Sequence, residues 1–288
     1  MIDLESIMNT IINGECIEVM KELPENSIDL IVTSCPYNVN INYDVYDDGR
    51  SMDDYWDFTT KWLTEVYRVL KDDGRVAINV PIEVNVKERG GRMLFNAEFW
   101  MRMKEVGFQF FGMVDLTEDS PHRVRQTAWG SWMSCSQPYI YNPKECVILS
   151  YKNSPKKLKK GIPQWEGELT KVEKEDGTFK NKMIYKPEDK KDFMKLVFGR
   201  WEYFADTRSL TKATFSMDIP SNAIKILTYK DDIVLDPFMG SGTSAIACEI
   251  LGRRWLGIEL SENYTKIANE RIKVFREEQS QIKLEFKE

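Results

Sequence analysis

The chain has 288 residues, 42% hydrophobic and 30% charged, a balance that excludes a disordered or fibrous protein and leaves room for one sizeable α/β domain with an insertion. No run of 18 apolar residues occurs, and Asp3, Glu5 and Asn9 interrupt the opening stretch, so neither a membrane span nor a signal peptide is expected and the expected location is cytoplasmic. The net charge of −6 is unevenly spread: residues 151–200 carry 14 Lys+Arg against 8 Asp+Glu, a local +6 that leaves −12 elsewhere. Such a segment is either a solvated basic face or one turned toward a polyanion.

Five scattered cysteines, Cys16, Cys35, Cys135, Cys146 and Cys248, form no CxxC pair, which argues against a disulfide framework or a zinc site, and no metal is expected. His122 is the only histidine, so schemes needing a histidine base have one candidate at most; its place after Ser120-Pro121 reads as a solvated loop.

In chain order, Ile28–Thr33 is a short, β-branched, nearly continuous apolar run, the pattern of a strand buried on both faces. Met52–Leu70 sets Tyr55, Phe58, Trp62, Val66 and Val69 three or four residues apart, a helix that Asp72-Asp73-Gly74 is expected to end. Arg75–Val80 and Cys146–Tyr151 are further strands. From Lys152 to about Arg208 the rhythm breaks into Lys-rich, Gly- and Pro-containing sequence, read as an insertion outside the sheet. A strand at Ile233–Leu235, a helix at Ser244–Leu251, a strand at Trp255–Glu259 and a helix at Asn263–Glu277 follow. This alternation predicts an α/β fold, a doubly wound, mostly parallel sheet in which residues 1–151 and 211–288 form one domain and 152–210 the insertion.

Asp231 to Ala245 reads as a strand, a glycine turn and a helix start, with GxGxx(G/A) spacing at Gly240 and Gly242 that lets backbone approach a nucleotide-like ligand. Spacing alone also fits a plain core turn. Glu259 strengthens the ligand reading: it ends the next strand 23 residues after Asp236, where a carboxylate can accept hydrogen bonds from both ribose hydroxyls. A dinucleotide and S-adenosylmethionine both fit; Asp236 favours the second, because a carboxylate repels pyrophosphate but attracts a sulfonium or ammonium.

Thr33-Ser34-Cys35-Pro36-Tyr37 directly follows a strand, at the carboxyl edge where open α/β sheets bind ligands. The exocyclic amine of a base is a latent nucleophile and chiefly needs acceptors for its two hydrogens. Ser34 Oγ and the Cys35 carbonyl are two candidates, Pro36 restrains Cys35, and Tyr37 offers a face for a flipped base. A tight turn around a buried Tyr37 is the plain alternative. A Cys35 thiolate nucleophile is disfavoured, since no basic neighbour in the string lowers its pKa and Cys precedes Pro.

Together these strings resemble the beta class of DNA amino methyltransferases, in which a catalytic (S/D/N)PP(Y/F) motif precedes a DPFxGSGT cofactor motif. Asn13–Cys16 with Leu23-Pro24 is similar to the family's opening segment, Val32–Tyr37 to the catalytic motif and Leu70–Val80 to the next strand. Trp129–Trp132 through Asn142–Glu145 looks like the stretch before the recognition region, and Asp236–Thr243 and Gly252–Glu259 match almost residue for residue. Cys35 departs from the usual Pro, and Lys212–Pro220 lacks the common His-Pro-x-x-Phe-Pro string.

The resemblance implies a Rossmann-like methyltransferase fold and S-adenosyl-L-methionine held at Cys16, Asp236, Pro237, Phe238, Gly240, Ser241, Gly242, Thr243 and Glu259. It further implies a flipped base at Ser34, Cys35, Pro36 and Tyr37, and double-stranded DNA as substrate. Ser34 in the first position resembles members acting on cytosine N4; Asp or Asn is commoner in the adenine-N6 group. The basic segment, with Lys156, Lys157, Lys159 and Lys160, is then the expected DNA-recognition insertion. A restriction-modification system is implied, with a cognate restriction endonuclease and a homodimer left open. Three rival readings stand: adenine-N6 methylation, a dinucleotide-dependent oxidoreductase that leaves Ser34–Tyr37 unexplained, and a DNA-binding module that has lost catalysis, which the Cys35 departure allows.

Overall fold

The computed structural model describes residues 2–86, 91–118, 131, 133–138, 142, 144–174, 178–203, 211 and 215–285; His122 lies outside these. Up to the first long helix the elements are β1 (Thr10–Asn13), α1 (Cys16–Glu22), β2 (Ile28–Ser34) and α2 (Met52–Val69). β2 is buried at six of its seven positions, as expected for a central strand covered on both faces. Ser51 caps α2 by accepting from Asp54 N at 3.1 Å, and the buried face carries Tyr55, Trp56, Trp62, Leu63, Val66 and Val69.

Then follow β3 (Leu70–Pro81), the short hairpin of β4 (Val84–Val86) and β5 (Gly91–Met93), α3 (Phe95–Val106), β6 (Gln109–Glu118) and β7 (Glu145–Tyr151). The remainder is β8 (Glu168–Glu173), β9 (Phe179–Ile184), α4 (Pro187–Val197), β10 (Arg200–Tyr203), α5 (Asp218–Leu227), β11 (Ile233–Asp236), α6 (Thr243–Leu251), β12 (Arg254–Glu259) and α7 (Glu262–Glu285). Among the described residues no helix is long and apolar enough to cross a membrane.

The central sheet among the described residues has eight strands in the order β1-β12-β11-β2-β3-β7-β6-β10. Every neighbouring pair is parallel except those of β7, which runs antiparallel to β3 and β6. One apolar layer packs α2 and α3 on one face through Trp62, Leu63, Val66, Phe95 and Phe99; a second packs α5 and α6 on the other through Ile224, Leu227, Ala247 and Cys248. From β2 the chain winds outward to β3, and from β11 the other way to β12, so the order reverses between β2 and β11. Their carboxyl ends therefore form the crevice where such sheets bind ligands.

Two expectations are corrected. Asp72-Asp73-Gly74 does not follow the helix as a turn: α2 stops at Val69, and these residues lie in β3, extended because the Asp72 and Gly74 carbonyls accept from Asn153, Ser154 and Lys152 N. The basic segment is not wholly outside the sheet. Its β8–β9 hairpin is separate, but β10 joins the sheet edge, parallel to β6, with Trp201 buried.

Residues 152–164 run beneath the amino-terminal edge, where Leu158 N donates to Asp73 Oδ2 (2.5 Å) and Lys230 N to Ile162 O (2.8 Å). Lys157 sits here, its side chain 8% exposed, 3.3 Å from Asp232 Oδ2 and 3.7 Å from Asp29 Oδ1. Asp29 also accepts from Lys71 at 2.7 Å and from Ile233 N at 2.9 Å. Removing the cation leaves one buried and one half-buried carboxylate with less compensation, so Lys157→Ala should lower unfolding stability by about 3 kcal/mol. The urea midpoint measures this; an unchanged midpoint would make the cluster energetically idle.

Candidate active site

At the β2/β11 crevice lies a cavity of about 450 Å³. One end is built by Gly14, Glu15 and Cys16 at the start of α1 and by Glu259, Leu260 and Tyr264 where β12 passes into α7. The other is built by Ser34–Tyr37 after β2, Asn79 near the end of β3 and Glu145 at the start of β7. Between them run Pro237–Ser241 and Thr243 of the glycine turn.

The turn is fixed from below. Asp236 is 2% exposed and uses both carboxylate oxygens: Oδ1 accepts from Thr33 Oγ1 (2.6 Å) and Phe238 N (3.0 Å), Oδ2 from Ser244 Oγ (2.5 Å). It therefore does not face the cavity as a counter-ion for a bound cation; it ties the catalytic strand to the turn. Burial pushes its carboxyl up to about 6, against three hydrogen bonds that lower it. Gly242 also lies beneath the surface, at φ 82°, where a Cβ would meet Ala268 and Ile272 at 3.2 and 3.3 Å. Arg271 of α7 closes the turn by donating to Ser241 O (3.1 Å) and Thr243 Oγ1 (2.9 Å).

Glu259 stands at the cavity wall. Its Oε2 accepts from Gly240 N (2.8 Å) and its Oε1 from Ser261 N (2.9 Å), while burial raises its carboxyl above the usual range. Two backbone amides aim the carboxylate and leave each oxygen further lone pairs, the acceptor set a vicinal diol requires. Phe238 projects from the turn onto Trp62 of α2, ring centroids 5.2 Å apart and nearly perpendicular, so an apolar wall lies beside that carboxylate.

At the opposite end the polar groups form one chain. Asn79 Nδ2 donates to Glu145 Oε2 (2.7 Å) and to Tyr37 OH (2.8 Å), and Tyr37 OH lies 2.7 Å from Ser34 Oγ. A buried phenol hydrogen needs an acceptor; with Asn79 donating to Tyr37, that hydrogen points at Ser34 Oγ. Ser34 then keeps one lone pair and its own hydrogen for a ligand. The Cys35 thiol is buried in the core and burial pushes its pKa far up, so it is no ready thiolate. Tyr55 OH donates to Pro36 O (2.9 Å), holding the string from α2.

A strap, residues 38–50, crosses the cavity and supplies Val39, Ile41, Tyr43, Asp44 and Tyr46 to its wall. Asp48 organises it by accepting from the backbone N–H groups of Asn38, Val39 and Ile41 at 2.9–3.0 Å. Asp44 accepts from Ser261 Oγ, which fastens the strap to the Glu259 end.

Comparison with known proteins agrees with this geometry. The N6/N4 DNA methylase family model, described as DNA methylase, matches residues 28–270. The chain belongs to the N6/N4 DNA methylase family. Type II methyltransferase M.MjaVI of Methanocaldococcus jannaschii is 41% identical over 164 residues, covering 57% of this chain and 79% of that one. The structure of a Thermus thermophilus protein complexed with S-adenosyl-L-methionine superposes with a TM-score of 0.64 at 22% identity, covering 92% of this chain and 93% of that one. The cytosine-N4-specific PvuII DNA methyltransferase gives 0.61 at 18%, covering 90% and 84%. At these identities the two structural likenesses are of fold.

The methylase cavity thus brings together Ser34, Cys35, Pro36, Tyr37, Cys16, Pro237, Phe238, Gly240, Ser241, Thr243 and Glu259, and leaves Asp236 and Gly242 as supports below. It does not bring in the lysines. Lys156, Lys159 and Lys160 are exposed and Lys157 is spent on Asp29 and Asp232, all at the sheet edge opposite the cavity. Asn79 and Glu145 fall in the family-like stretches Leu70–Val80 and Asn142–Glu145 without a role of their own there, and the strap aromatics belong to no motif; the one sequence signal for Asn79 is a polar residue inside the apolar run Val76–Val80.

Asp236→Asn keeps the three hydrogen bonds, since its Oδ1 can face Thr33 and Phe238 N and its amide can donate to Ser244. With a folded pKa near 6 and an unfolded one of 3.8, wild-type Asp236 holds a proton that the unfolded chain has released, so its contribution makes stability fall as pH rises from about 4 to 6. Above pH 6 the cost is complete. Asp236→Asn should therefore exceed the ligand-free wild type at pH 7.5 by on the order of 3 kcal/mol and draw level below pH 4, read from denaturant unfolding at each pH. A constant difference at all pH values would refute the assignment.

Proposed function

We propose that this DNA methylase transfers a methyl group from S-adenosyl-L-methionine to the exocyclic N4 amine of a flipped cytosine in duplex DNA, as the type II modification partner of a restriction endonuclease. The observation that carries the reading is Ser34 on the cavity floor, its hydroxyl oriented by Tyr37 and Asn79 with one lone pair and one hydrogen left for a base. The cofactor's residues fit: Glu259 for a diol, Phe238 for an apolar ring edge, Cys16 and Gly14 beside them. The bound cofactor supplies a methyl group on a positively charged sulfur.

The chain's own residues then hold the acceptor. Ser34 Oγ takes one amine hydrogen, the Cys35 carbonyl the other, and the Ser34 hydrogen points to the ring nitrogen beside the amine. Drawing both hydrogens aside aims the nitrogen lone pair at the methyl carbon. Cytosine is favoured over adenine by Ser at position 34, the residue that resembles cytosine-N4 members.

Digestion of DNA modified by the enzyme to nucleosides, followed by mass analysis, should show N4-methylcytosine; N6-methyladenine would replace the base assignment, and no methylated base would remove the activity. Ser34→Ala should slow single-turnover methylation by about 100-fold, roughly 3 kcal/mol, with cofactor affinity little changed. Cys35→Ala, which keeps the carbonyl, should stay active; a folded, cofactor-binding but dead variant would restore the thiolate reading.

DNA reaches the site from the carboxyl edge. Changing Lys156, Lys159 and Lys160 together to Glu should therefore leave the slope of log affinity against log salt within about one unit of the wild type, whereas phosphate-contacting lysines would each remove nearly one unit.

A further inference from the structure

We propose that Glu145 is a charge-stabilising and positioning residue for methyl transfer, holding a negative charge at the base end of the cavity through Asn79. The proposal rests on the methylase reading above and adds a residue from outside its catalytic and cofactor motifs. Glu145 is the first residue of β7, the antiparallel strand, so its side chain starts from the carboxyl edge, the same edge as Ser34. It lines the cavity and is half-buried. Asn79, 3% exposed, spends one amide hydrogen on the Glu145 carboxylate and the other on Tyr37.

That arrangement does two things. A carboxylate accepts only, so it fixes the Asn79 amide with nitrogen toward Tyr37, and this sets the direction in which the Tyr37 hydrogen points at Ser34. Reversing the amide would put Asn79 Oδ1 against a carboxylate oxygen and turn the Tyr37 hydrogen away from Ser34. The charge also reaches Tyr37 directly: after burial, Glu145 is the largest influence raising the Tyr37 hydroxyl pKa.

The reaction needs such a charge at this end. As the amine lone pair forms the new N–C bond, the S–C bonding pair returns to sulfur, and the positive charge leaves sulfur for the amine and ring. One amine proton then passes to water. A carboxylate beyond the base favours that migration, because it lies nearer the charge in the transition state than before it. Glu259, at the cofactor end, lies on the side that the charge leaves.

Glu145→Gln tests this, since it removes the charge while the Gln carbonyl can still accept from Asn79. Single-turnover methylation of DNA should slow at least about tenfold, while affinities for DNA and for S-adenosylhomocysteine stay within about twofold and the melting profile is kept. Glu145→Asp, which keeps the charge, should recover part of the rate. A readout apart from turnover uses sinefungin, which places an ammonium near the position of the transferring methyl. In calorimetry its affinity relative to uncharged-centre S-adenosylhomocysteine should fall several-fold in Glu145→Gln and not in Glu145→Asp. An unchanged rate and an unchanged ratio would overturn the proposal even if the wild type methylates cytosine. An inactive wild type that still shows the shift in ratio would instead fault the methylase reading alone.

Discussion

One buried carboxylate holds the two halves of the site in register. The ladder between β2 and β11 pairs only Leu30 with Val234 and Ile31 with Leu235. Past those residues the strands are joined through Asp236, which accepts from Thr33 on one side and from Phe238 N and Ser244 on the other. The residue after Thr33 is Ser34, and the residues between Phe238 and Ser244 form the glycine turn, so a shift of either half is felt by the other. The cost is the desolvation that brings the carboxyl to about 6. Close packing lies above it: a Cβ on Gly257 would displace the flexible end of Met239 and approach Ile11 at 3.3 Å, and Met239 N donates to Ile258 O.

The distribution of charge in the cavity explains why an acidic chain suits this chemistry. Glu15, Asp44, Glu145 and Glu259 outnumber Arg50 along a site whose proposed ligands are a cation and an amine, and acidic groups serve both better than basic ones. Phosphate attraction is a separate requirement, met by whichever basic groups face the carboxyl edge rather than by the net charge of −6.

Legibility in the sequence followed burial and contiguity. Ile28–Thr33 and Ile233–Leu235 were readable as central strands because both faces are covered and nearly every residue is apolar. β1, with no buried residue, and β10, four residues within a basic segment, carry no such pattern. Ser34–Tyr37 and the glycine turn stand as unbroken strings at strand ends, and their convergence follows from a doubly wound sheet. Asn79 and Glu145 belong to two other strands and meet only in space, 66 positions apart in sequence. In sequence Asp236 looks like a cofactor counter-ion because its local surroundings invite that role, while in the fold Thr33, 203 positions away, claims it for the core.

The misplacement of the basic segment has a topological cause. Had the strand at Glu145–Tyr151 run parallel to its neighbours, Lys152 would emerge at the carboxyl edge beside Ser34, and Lys156–Lys160 would lie over the cavity. It runs antiparallel, so the chain leaves it at the amino edge, where Asp72, Asp73, Asp29 and Asp232 receive the segment's backbone and Lys157. Because β10 is parallel to β6, it carries the chain to the carboxyl edge at Tyr203, which accordingly lines the cavity. Strand direction cannot be read from an apolar run, since the same residues pack equally well either way. The direction of β7 therefore decides which part of the basic segment reaches the carboxyl edge, and it is also what carries Glu145, as a first rather than a last residue, to the edge where the cavity lies.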